Sequence, residues 1–317
     1  MGDRSGGQNM GLMNKRGMFF TIIVIVLISI LILSYTLYSQ VSGRDTIQKR
    51  IETMGNFIVS MEKDLSRQLY VSGFRSIFVM EKSILETGQY ISDLNVSALE
   101  LFINGSFHGE PQTVMVGATF SDISDSIKLN SGKMGINTTL NLISFELLQS
   151  DSWNVEAKAE ILFKIEDNGN LATWNKTRTI IAQIPVERFE DPLYSVSTNG
   201  WVSNNITRSP FVVFVNGNDV SNLSIHALGS FYIASPDAPS FLDRLEGRMS
   251  ANVNGIESLV NLQKLSSQGL QVQDKSVIDH IYFSSSNPSK QHILGMPSWF
   301  KLDDSHLAAY QASGIIG

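Results

Sequence analysis

Apolar residues run almost without interruption from residue 18 to 38, broken by Thr21, Ser29, Ser34 and Thr36. No charge occurs between Arg16 and Arg44. About 20 apolar residues in a helix span a bilayer core of ~30 Å. The run is rich in Ile and Val, which favour strands in water. In lipid a lone strand leaves its backbone groups unpaired, so the helix is the form that crosses. A cleaved secretory signal has a shorter apolar core, ~7–15 residues, followed by small residues of A-x-A type. Neither feature is present here. Lys15 and Arg16 directly precede the run, which keeps that end cytoplasmic and sends the long C-terminal part outside.

The pattern then changes to helical spacing with charged faces. Ile47, Ile51, Met54, Ile58, Met61, Leu65 and Leu69 step by three and four, an a/d-type seam suited to helix assembly. No proline occurs before residue 111. One helix from Met18 to about Tyr70 is predicted, with a bend at Ser72-Gly73 and a further helix over Phe74–Leu85. From about residue 93 the spacing reads as short strands with turn signals. Leu99–Ile103 is predicted as a strand entering a hairpin turn at Asn104-Gly105, with a strand reopening at Phe107. Thr113–Val116 is a further short strand and Phe120–Asn130 a short helix. Three long strands follow at Ile136–Leu148, Asn154–Ile165 and Ala172–Ile184, alternating as half-buried strands do. Phe211–Val215 and Phe231–Ala234 read as strands, and Ser240 to Gly247 as a capped helical turn.

The expected class is therefore α+β. A long N-terminal transmembrane and stalk helix leads into a β-rich extracellular region, an antiparallel sheet or sandwich. The expected divisions are a cytoplasmic leader over 1–17, a transmembrane helix over 18–38 and a helical stalk over 39–92. A first β-rich ectodomain covers 93–190, a linker 191–210 and a second β-rich ectodomain 211–317.

Composition narrows the function classes. A formal net charge of −6 gives no basic face for nucleic acid. The absence of cysteine excludes disulfides, Cys-ligated zinc and Fe–S clusters. The five histidines are scattered, without HExxH or paired spacing, and neither GxSxG, a P-loop nor GxGxxG occurs. No catalytic, cofactor or metal residues are assigned, and the chain is not expected to be an enzyme. Asp303-Asp304-x-His306 reads as a solvated loop, Asp279-His280 as surface decoration and Asp167–Asn170 as a turn. Six N-x-S/T triplets, at Asn95, Asn104, Asn137, Asn175, Asn205 and Asn222, are candidate glycosylation acceptors. Asn205 and Asn222 are the best placed, and Asn137 is expected to be buried. Trp153, Trp174, Trp201 and Trp299 divide between core packing and stacking on glycans.

Lys15-Arg16-Gly17 before Met18 and a lipid-length helix resembles a class III (prepilin) signal, in its archaeal form. The bacterial pattern has Glu at the fifth mature residue, where this chain has Ile22. The resemblance covers about 25 residues. It implies cleavage after Gly17 by a prepilin peptidase and retention of the helix. It further implies a type IV pilin-like surface subunit, of minor-pilin or adhesin type, partnered by membrane lipid and by like or related subunits. The alternative is a monomeric single-pass protein whose exported domain binds a glycan or protein.

Overall fold

The computed structural model describes residues 15–317, and the side chains of 15–18, 42, 43, 45 and 46 are outside the described set. Residues 1–14, most of the expected leader, also lie outside the described residues. Helix α1 runs from Lys15 to Thr87, 73 residues, a rod of roughly 110 Å at ~1.5 Å per residue. The expected bend at Ser72-Gly73 is absent, and the separate helix expected over 74–85 is the last part of α1. Tertiary packing explains both corrections. The buried Ser72 hydroxyl donates to the Ala118 carbonyl at 2.6 Å. A Cβ on Gly73 would stand 2.6 Å from Ile184 Cδ1 and 2.8 Å from Ala157 Cβ. Gly73 is a point of close approach to the sheet, and its helical backbone continues through it.

Helix α2 (Leu94–Asn104) replaces the strand and hairpin turn expected at 99–105. Asp93 caps it by accepting from Val96 N–H, and Gly105 closes it at φ +66°. The buried residues Leu94, Ala98, Leu101 and Phe102 fall on one helical face. The alternation of Leu99–Ile103 was too short to distinguish from this spacing. Strands β1 (Ser106–Phe107) and β2 (Glu110–Pro111) form a small hairpin. The strand expected at 113–116 is a 3-10 turn over Thr113–Met115, with Met115 buried. Helix α3 (Phe120–Lys133) is opened by a reciprocal cap between Thr119 and Asp122.

The three long strands form as expected: β3 (Ile136–Asp151), β4 (Asn154–Asp167) and β5 (Thr173–Pro185), an antiparallel sheet in that order. Val155, Ala157, Ala159, Ile161, Phe163 and Ile165 of β4 are buried on one face. The two alanines leave room for α1 to lie close to the sheet. Arg50 clamps the lower end, donating to Asp167 at 2.5 Å and to the Gly135 carbonyl at 2.8 Å. Asp167 also accepts from Gly169 N–H, which makes 167–170 the expected turn.

The segment expected as a linker over 191–210 is part of the packed structure. It carries α4 (Pro192–Ser197) and buries Leu193, Tyr194, Val202 and Ile206. Beyond it lie α5 (Ser221–Gly229), β6 (Tyr232–Ala234), α6 (Phe241–Leu245) and β7 (Ile256–Ser258). Helices α7 (Leu262–Ser267) and α8 (Asp279–Tyr282) follow, then β8 (Lys290–His292) and β9 (Lys301–Asp303). This lobe has short helices and two-stranded ladders, β6–β7 and β8–β9. Its strand content is lower than a β-rich domain over 211–317 would have. The strand expected at Phe211–Val215 is irregular chain, although Phe214 is buried in the lobe's core. The capped turn at 240–247 forms as read, with Ser240 and Asp243 bonded reciprocally. Tyr232, Phe241, Leu245 and Ile256 belong to the sheet's core, so the two lobes share packing.

Candidate functional site

Four regions could carry function: the N-terminal span, a groove on the upper stalk, a buried polar network, and the exposed sequons and tryptophans. Among the described residues one helix segment is long and apolar enough to cross a membrane, Phe19–Val41. Its mean hydropathy is 2.7, and none of it is covered by the rest of the chain. Two of its hydroxyls bond back to the helix. Ser29 donates to the Ile25 carbonyl and Thr36 to that of Leu33, each at 2.8 Å. The backbone of Lys15, Arg16, Gly17 and Met18 is helical, and their side chains lie outside the described set.

The assembly seam divides in two. Met54, Met61, Leu65 and Leu69 are buried against the chain's own sheet, and Ile58 is half-buried. Ile47 and Ile51 are exposed. Higher on α1, Tyr70, Phe74 and Phe78 stand one turn apart on the open side, each about 40% exposed. With Pro185 and Phe189 they line a groove of about 480 Å³. Tyr70 and Phe74 stack at 6.3 Å, and Phe74 lies 5.1 Å from Phe189. Glu81 lines the same groove although it is only 6% exposed. One of its oxygens accepts from Glu190 N–H. Burial raises its pKa to about 7, against the lowering effect of that hydrogen bond. The residues at 70, 74 and 78 step by four, so this stripe was available in the sequence. The expected bend at 72–73 hid it by dividing it between two helices.

Of the polar residues read as surface, Asp279, His280, Asp303 and His306 are interior, while Asp304 is exposed. Arg244 is fully buried, between Asp191 at 2.6 Å and Asp279 at 3.0 Å. Tyr232 donates to Asp191 at 2.8 Å, and Ser258 donates to Asp279 at 2.7 Å. Tyr194 is bonded to Ser258. Burial drives the Asp191 carboxyl up against the pull of Arg244. For Asp279 burial acts in the same sense, but the guanidinium and the His280 contacts outweigh it and hold the group low. Asp279 is thus a structural counter-ion and not the surface decoration expected. His306 is buried rather than in a solvated loop. It bonds Asp303 at 2.7 Å and stands 3.3 Å from Glu257, too poorly aligned there for a hydrogen bond. Burial opposes its charge, yet the two carboxylates raise its pKa to about 10. Asp303 accepts further bonds from Ser276 and Ser305. No sequence signal links residues so far apart as 191, 244 and 279. Among the described residues no three His, Asp or Glu side chains are grouped to hold a metal ion.

Asn95, Asn104, Asn137, Asn175 and Asn205 are exposed. Asn137, expected to be buried, points outward from β3, opposite to its buried neighbours Ile136 and Thr138. Asn222 is half-buried, and its amide nitrogen donates to the Val213 carbonyl at 2.8 Å. Trp153, Trp174 and Trp299 pack against the cores, and Arg208 lies over the Trp153 ring at 4.3 Å. Trp201 is 64% exposed.

No protein-family model matches the chain, no curated protein matches its sequence, and no solved structure matches its fold.

Proposed function

We propose that this chain is a type IV pilin-like surface subunit, archaeal in style and of minor-pilin or adhesin type. It is cut after Gly17 and held in the membrane, or assembled, through its N-terminal helix. The observation that carries this reading is the unbroken α1. Its lower part is an uncharged span bare of any cover, and its upper part packs under the chain's own sheet. Lys15-Arg16-Gly17 directly before that span supports the same reading. Sequencing the N-terminus of protein from native membranes tests it: Met18 is expected as the first residue. Gly17→Trp should block processing and assembly while leaving membrane insertion intact. Retention of residues 1–17, with no effect of Gly17→Trp, overturns the reading.

The second reading is a monomeric, membrane-anchored binding protein for a glycan or protein. It is favoured by the burial of Met54, Met61, Leu65 and Leu69 within the molecule, which removes most of the upper seam from intermolecular use.

A further inference from the structure

Two patches of α1, the lower one bare and the upper one a half-open groove with Glu81 set into its wall at 6% exposure, carry complementary side chains at the same spacing. The upper is Phe74, Phe78 and Glu81 in the groove described above. The lower is Leu37, Val41 and Arg44, all exposed, where the span leaves the apolar run. Both sets follow i, i+4, i+7, which falls on one face of a helix. Resting on the pilin-like reading, we propose that the groove receives Leu37–Arg44 of a second copy of this chain. Leu37 lies against Phe74, Val41 against Phe78, and Arg44 against the Glu81 carboxylate.

The chemistry of the groove favours this occupant. Glu81 holds a single hydrogen bond, to the Glu190 amide, so its carboxylate has acceptor capacity left. The neighbouring charges are largely engaged elsewhere. Lys82 faces Glu86 at 3.6 Å, Glu187 faces Arg208 at 3.9 Å, and Glu190 accepts from the Ser195 hydroxyl. Arg188 lines the rim. A guanidinium brings donors in a rigid fork, and its flat face also stacks on aromatic rings. The exposed faces of Phe74 and Phe78 supply the apolar half of the contact for Leu37 and Val41.

The register has a mechanical consequence. The two patches are separated by about 37 residues, roughly 55 Å along a helix that rises ~1.5 Å per residue. Two copies seated in one bilayer present their patches at different heights and cannot make this contact. It forms when one copy is drawn out of the membrane by about that distance relative to its neighbour. The contact joins two different surfaces, so repetition extends an array without closing it. The groove therefore stays unoccupied in the membrane pool and fills on assembly.

The absence of cysteine makes the test direct. Full-length chain carrying Val41→Cys and Phe78→Cys is expressed in the source cells and oxidised, in membranes and in material sheared from the surface. Intermolecular disulfide ladders are expected in the sheared material and at least tenfold less in membranes. The off-register pair Val41→Cys with Val59→Cys should give no ladder. Glu81→Gln, which keeps an acceptor for the Glu190 amide, should cut sheared yield at least tenfold with no fall in melting temperature. Assembled material without the Val41–Phe78 ladder, or with an equal ladder from the control pair, overturns the docking and leaves the pilin-like reading standing. So does full assembly of Glu81→Gln. No processing at Gly17 and no sheared material overturns both.

Discussion

Arg244 is the residue on which the C-terminal lobe most depends. It pairs with two carboxylates that have no exposure, and it donates to the Ile256 carbonyl as well. Removing one partner of a buried pair leaves charge without compensation, which costs about 3–5 kcal/mol. Arg244→Met should therefore destabilise the full chain in detergent by that order, seen as a lower urea midpoint. Arg67→Met is the contrast, since Arg67 pairs with Asp64 on the surface and exposed pairs contribute about 0–1 kcal/mol. Equal midpoints for the two variants would contradict this account of Arg244. The titrating groups give a second residue-scale prediction. His306 has its pKa raised to about 10, so its contribution is complete below ~6.5 and is lost as pH rises through 10. His226, lowered to about 4 by burial, contributes above ~6.5 and loses that as pH falls through 4. Glu81, raised to about 7, acts in the opposite sense to His226, with stability lost as pH rises from ~4.5 through 7. The two offset each other below neutrality, and His306 dominates above it. Stability should fall between pH 7 and 9.5 in the native sequence, and His306→Gln should flatten that fall when urea midpoints are compared.

At the scale of elements, periodicity was readable where an element was long and half-buried. Strand β4 alternates over its 14 residues, β5 over its second half, and β3 on either side of a register shift between Leu142 and Ser144, which was enough to place all three. The errors fell on short segments, on glycine, and on the weakly periodic stretch from 191 onward, read as a linker and a β-rich domain. Leu99–Ile103 alternates over five residues, too few to separate a strand from the helix that Asp93 and Gly105 delimit. Gly73 signalled a bend by local propensity, whereas its use is tertiary, to admit Ile184 and Ala157. Gly55 differs, because nothing lies within 4 Å of a Cβ placed there. The pair is a test. Gly55→Ala should stabilise by about 0.5–1 kcal/mol, the usual gain of Ala over Gly inside a helix. Gly73→Val should destabilise by about 1–3 kcal/mol through overpacking. Thermal melts of the two variants should move in opposite directions. A gain from Gly73→Val would mean that the helix does not lie on the sheet as described.

At the scale of the whole molecule, the span was legible because lipid imposes a length and a composition that few other contexts require. The groove and the Arg244 network were not, since both depend on where distant segments meet. The orientation proposed for the chain rests on charge. Lys15 and Arg16 stand at one end of an uncharged stretch, and translocating them is costly relative to retaining them inside. The 44–317 portion should then lie outside the cell. Trp201 offers a clean reporter: it is 64% exposed and outside both cores, so Trp201→Cys should leave folding intact. The chain has no other cysteine, so a membrane-impermeant maleimide reports this site alone. Ser5→Cys in the Gly17→Trp background reports the leader, which that substitution should keep attached. Intact cells should label Trp201→Cys fully and Ser5→Cys only after lysis. The reverse pattern would place the folded lobes in the cytoplasm. They would then be beyond the reach of any surface partner, and both functional readings would fall together.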